Sequence, residues 1–85
     1  MEIVFSPTAK KDLLYWSKSG NHAIQRKLSA LFISLIESPF GGIGKPEQLK
    51  HELSGYWSRR IDKGHRLVYE VFESTIYIHS LRGHY

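Results

Sequence analysis

The order of hydrophobic periods constrains this chain most. A short apolar run comes first, two stretches of helical period follow, and strand-like runs separated by turn residues fill the rest. Glu2 to Phe5 is rich in β-branched and aromatic residues and predicts a strand. Ser6-Pro7 then supplies an N-cap and a proline suited to the first helical position. Ala9, Leu13 and Trp16 recur at spacings of four and three, one face of a short helix that Gly20-Asn21 breaks. A second helix is predicted from about Asn21 to Glu37. Ile24, Leu28, Leu31 and Leu35 form its stripe, with Phe32 and Ile36 widening it. Beyond the loop from Pro39 to Pro46, strands are predicted at Gln48 to Leu53, Tyr56 to Ile61, His65 to Phe72 and Thr75 to Leu81. The turns between them are Ser54-Gly55, Asp62-Lys63-Gly64 and Glu73-Ser74.

Helices grouped ahead of a meander mean an α+β domain, with two helices on one face of a mainly antiparallel four- to five-stranded sheet. At 85 residues the chain is a single domain, residues 1–85, with a modest core. It has no cysteine, which removes a disulfide framework and a thiolate zinc site and is compatible with a reducing cytosol. No stretch reaches the roughly 20 apolar residues of a membrane span, and the N-terminus does not read as a signal peptide. No membrane partner is expected.

Charge gives the first hint of a partner. The net charge is +4 and the pI near 9.5, which favours a polyanion. From Lys45 onward Lys50, Arg59, Arg60, Lys63, Arg66 and Arg82 interleave with Tyr56, Trp57, Tyr69 and Tyr77, a mixture suited to phosphate contact and base stacking. Strand alternation puts Trp57 and Ile61 on one face, with Leu67, Tyr69 and Val71 turned to the helices. Arg60 and Arg66 then project from the open face as guanidinium forks for phosphate.

RNA cleavage without a metal needs a base for the 2′-OH, a cation for the phosphorane-like transition state and an acid for the leaving oxygen. The chain offers Glu47 or a histidine as base, Arg66 and Arg60 as cations, and His84 as acid. The competing chemistries are weaker. His22, His51, His65, His79 and His84 stand at no metal-ligand spacing, and no acidic cluster would hold magnesium, so neither a metal nor any other cofactor is expected. No serine lies in a Gly-x-Ser-x-Gly context. Gly44-Lys45 is followed by Pro46, which breaks the phosphate-loop pattern. His65, beside Arg66, is expected to pack on the helix-facing side.

The residues themselves carry a resemblance. Gly44-Lys45-Pro46-Glu47-Gln48-Leu49-Lys50, Leu53 through Ile61, His65-Arg66-Leu67-Val68-Tyr69 and Arg82-Gly83-His84-Tyr85 resemble the YoeB toxins, a branch of the RelE-like mRNA interferases of type II toxin–antitoxin systems. Tyr15-Trp16 and Pro39-Phe40 fit as well, so the likeness spans the chain. The resemblance implies the microbial RNase fold and a cytoplasmic toxin that inhibits translation. Its substrate would be mRNA in the A site of a 70S-type ribosome, cut to a 2′,3′-cyclic phosphate and a 5′-hydroxyl. It implies Glu47 as general base, Arg66 as the transition-state cation, His84 as general acid and Tyr85 as a positioning residue. Lys50, Arg60 and Arg59 are expected as phosphate or ribosomal RNA contacts. Implied protein partners are a cognate antitoxin and a second copy of the chain, with operator DNA reached only through the antitoxin complex. The helices and the hairpin at Glu73-Ser74 differ most from the family and are where an antitoxin is expected to wrap. The rival readings are a basic RNA-binding or antitoxin-dependent corepressor module without catalysis, and an inactive toxin-like chain.

Overall fold

The computed structural model describes residues 1–83; His84 and Tyr85 lie outside the described residues. The chain runs β1 (Glu2–Phe5), α1 (Pro7–Lys18), α2 (His22–Glu37), β2 (Glu47–Gln48), a 3₁₀ turn (His51–Leu53), β3 (Trp57–Arg60), β4 (Arg66–Phe72) and β5 (Thr75–Ser80). Helix α1 starts where its predicted cap puts it, and α2 starts one residue after Asn21, which the structure shows to be its cap. The Ser6 hydroxyl accepts from the Ala9 N–H at 3.0 Å with Pro7 behind it, and the Asn21 side chain accepts from the Ile24 N–H at 3.1 Å. None of the helices is long and apolar enough to cross a membrane, among the described residues.

The strands form one five-stranded sheet in the order β1-β5-β4-β3-β2. β1 runs parallel to β5, and every other pair is antiparallel. The α+β architecture read from the sequence is therefore the one found. The helices lie on one sheet face and bury the apolar stripe: Ala9, Trp16, Ile24, Leu28, Leu31 and Leu35 meet Leu67, Tyr69, Ile76 and Ile78. Each fully buried aliphatic side chain here contributes about 1.5–3 kcal/mol of transfer free energy.

One sequence expectation changes. The strand expected over Gln48 to Leu53 stops after Gln48, and only the Leu49 N–H extends the ladder, bonding to the Tyr56 carbonyl at 2.9 Å. His51 adopts φ +59° and Gly55 φ +97°, so residues 50–55 make a wide loop in place of the two-residue turn expected at Ser54-Gly55. The left-handed region is incompatible with a continuous strand. A feature the sequence gives no sign of is the pairing of β5, where the register slips between Val68 and Tyr69: Val68 faces Ser80, Tyr69 faces Ile78, and His79 is the additional residue of a bulge.

Candidate active site

Register decides which side chains share the open sheet face, because directly paired residues point to the same side. Glu47 pairs with Ser58, Ser58 with Val68 and Val68 with Ser80, one row across four strands. The next row holds Arg60 opposite Arg66. Helix-packed Leu67 and Tyr69 alternate with these positions, which leaves Glu47, Ser58, Arg60 and Arg66 on the face away from the helices. Arg66 Nη1 donates to the Ser58 hydroxyl at 3.3 Å, so Ser58, itself fully buried, links the two rows. Lys50 is exposed just past β2 at the head of the 3₁₀ turn.

The segment after β5 is tied to the same place. Trp16 Nε1–H donates to the Leu81 carbonyl at 2.8 Å, and the Leu81 N–H donates to the Asp12 carboxylate at 2.9 Å. The Arg66 N–H then donates to the Gly83 carbonyl at 3.1 Å, and the Gly83 N–H donates to His65 Nδ1 at 2.8 Å. An accepting Nδ1 assigns the neutral imidazole proton to Nε2. His65 packs on Trp16 edge to face, ring centroids 4.8 Å apart, as its expected helix-side position implies. Its hold on residue 83 had no signal in the sequence, because the two residues are far apart along the chain. His84 and Tyr85 follow Gly83 directly but lie outside the described residues.

Arg59 corrects the expectation of a phosphate contact. It alternates with Arg60, and its guanidinium runs to the opposite face, where the residue is 0% exposed. There it donates to the Ser34 hydroxyl (2.8 Å), the Ile43 carbonyl (3.1 Å), the Ser38 carbonyl (2.6 Å) and the Tyr69 hydroxyl (3.3 Å). Tyr69 passes its own proton to the Pro39 carbonyl at 2.7 Å. Burial raises the Tyr69 phenol above its ordinary pKa, and the hydrogen bond and charge of Arg59 oppose that rise. The loop after α2 closes over this cation. Gly44, at φ +85°, has space only for a hydrogen where a Cβ would stand 2.8 Å from a Leu31 methyl carbon. The carbonyl of Gly44 accepts from the Arg60 N–H at 2.7 Å. Arg59 thus fastens the loop that leads into Glu47 and does not reach a ligand.

No three His, Asp or Glu side chains gather at metal-binding distance among the described residues. Compared with known proteins, residues 5–85 match the family model of the YoeB-like toxins of bacterial type II toxin–antitoxin systems. The chain belongs to that family. The YoeB toxin of Escherichia coli (strain K12) is 42% identical over 85 residues, all of both chains. A YoeB/ParE toxin from Agrobacterium tumefaciens superposes with a TM-score of 0.93 at 36% identity, over 100% of each chain. YoeB of Staphylococcus aureus, solved in complex with YefM, gives a TM-score of 0.88 at 43% identity, covering 100% of this chain and 98% of that one. As a YoeB-family member this chain is a toxin component of a type II toxin–antitoxin system.

Proposed function

We propose that this toxin is a metal-independent endoribonuclease of the cytoplasm that cuts mRNA in the ribosomal A site. Glu47 takes the 2′-OH proton, and the freed oxygen attacks the adjacent phosphorus. The Arg66 guanidinium meets the charge that builds on the non-bridging oxygens. His84 gives a proton to the 5′ oxygen as its bond to phosphorus breaks, leaving a 2′,3′-cyclic phosphate and a 5′-hydroxyl. Tyr85 positions the nucleotide, and Arg60 and Lys50 hold flanking phosphates.

The observation that supports the reading is the shared face: the proposed base and cation sit in adjacent rows of one sheet face, with Ser58 paired to Glu47 and hydrogen-bonded to Arg66. The acid's placement is supported by the bond from the Arg66 N–H to Gly83, which sets the start of the tail at the same end of β4. An apparatus this small supplies about 10²–10⁴-fold per acid–base group, so alignment of the strand by the ribosome carries much of the rate. The S. aureus relative solved with YefM supports neutralisation by a cognate antitoxin, and its solved dimer supports a second copy as a further partner.

A translation reaction with primer extension tests this. Glu47→Ala, Arg66→Ala and His84→Ala are each expected to reduce cleavage about 10²–10⁴-fold with the fold retained, and EDTA to leave the cut products unchanged once ribosomes are supplied with fixed magnesium. Full activity in all three variants refutes the assignment; a shift of RNA without new ends favours the binding-module reading.

A further inference from the structure

The open sheet face carries a second cluster that this chemistry does not use. Tyr77 pairs with Glu70 across β5 and β4 and with Val4 across β5 and β1, so the three share that face. The bulged residue His79 meets Tyr56, ring centroids 5.4 Å apart at 53°. These five residues line a cleft of about 210 Å³. Val4 and Tyr77 are 38% and 39% exposed, so the floor is apolar and open to solvent.

We propose that this cleft is a nucleobase subsite that prefers guanine. The proposal deepens the nuclease reading, on which it rests for the presence of RNA. Sites for drug-sized ligands run to about 300–1,000 Å³, so this one suits a single flat group. Tyrosine and histidine rings give a base a surface to stack on. Glu70 supplies the selectivity. A carboxylate on a face that meets a polyanion repels phosphate, so its place is against a base edge and not the backbone. Ionised, it only accepts hydrogen bonds, through two oxygens. Guanine alone offers it two adjacent donors, N1–H and the N2 amino group. Adenine and cytosine set a ring-nitrogen lone pair beside their amino group, and uracil flanks its one N–H with carbonyls. Glu70 lies four residues along β4 from Arg66, roughly 13 Å, so the subsite holds a neighbouring nucleotide and not the ribose being cut.

Binding of uncleavable 2′-O-methyl pentanucleotides, measured by fluorescence anisotropy, tests the subsite without chemistry. Pentanucleotides carrying guanine at each position in turn are expected to bind roughly 10- to 100-fold more tightly than their adenine, cytosine or uracil counterparts at one position. Glu70→Gln is expected to bring the guanine strand down to about the affinity of the other three, which stay unchanged, and Tyr77→Ala to weaken all four bases together. Absence of binding, equal binding of the four bases, or an unchanged preference in Glu70→Gln overturns the proposal. Because a methylated strand cannot be cut, failure here leaves the cleavage test standing, and failure of the cleavage test leaves this one readable.

Discussion

At the scale of single residues, Arg59 and Tyr69 form one unit. The guanidinium is held by neutral oxygens on β4, α2 and the loop after it, so its removal leaves several acceptors buried without donors. Arg59→Met is expected to cost about 3 kcal/mol or more in urea unfolding, where Arg60→Met, on the exposed face, costs about 0.5 kcal/mol or less. Tyr69 adds a pH signature. Its folded pKa lies above the unfolded value, so the neutral phenol contributes fully below the ordinary tyrosine pKa of about 10 and progressively less as pH rises past it. Urea midpoints measured across that range are expected to fall on the alkaline side, and to fall less in Tyr69→Phe. The burial of Arg59 was half legible. Strand alternation puts it with Trp57 and Ile61 on the helix-facing side, yet its charge argued for solvent. What reverses the charge argument is a set of carbonyls on a loop 16 to 21 residues away, and no local pattern encodes that.

At the scale of elements, periods and one cap were read directly: Ser6 and Pro7 start α1 where the sequence placed it, and α2 begins within a residue of its expected start, on an Asn21 cap that was read only as a break. The short β2 was not, because Leu49, His51 and Leu53 alternate like a strand while His51 turns left-handed. The strap over residues 81–83 was also invisible. It is built from four hydrogen bonds to α1, His65 and β4, each between residues distant in sequence. The strap fixes Gly83, the residue before the acid of the proposed mechanism. His65→Phe keeps the ring edge on Trp16 but removes the acceptor for the Gly83 N–H. Cleavage in the translation reaction is expected to fall roughly 10- to 100-fold, while urea stability drops by only about 1 kcal/mol. His65→Gln, whose amide oxygen accepts, is expected to recover part of the loss. Wild-type cleavage by His65→Phe would show that the strap does not aim the tail.

At the scale of the whole molecule, the positive field is broader than the sheet. Lys11, Lys18 and Arg82 border a cleft on the outer side of α1, and the Arg82 guanidinium lies 3.6 Å from the centre of the Tyr15 ring. The one carboxylate of α1, Asp12, is turned to the Leu81 N–H and does not offset that face. Cations therefore also gather beside α1, with Lys11 and Lys18 lying outside the cluster after Lys45 that the sequence singled out. Association with ribosomes or RNA is expected to weaken steeply with salt, and Lys11→Ala with Lys18→Ala to lower the log–log slope by about one per lysine. Sedimentation across a salt series measures both; an unchanged slope would place the RNA contact on the sheet alone.

The sheet is completed by laying its first strand beside its last, Ile3 against Ile76 and Phe5 against Ile78. A nascent chain therefore carries β1 without its sheet neighbour until β5 has left the exit tunnel, because Ile76 and Ile78, the core positions that β1 lies against, are made about seventy residues after it.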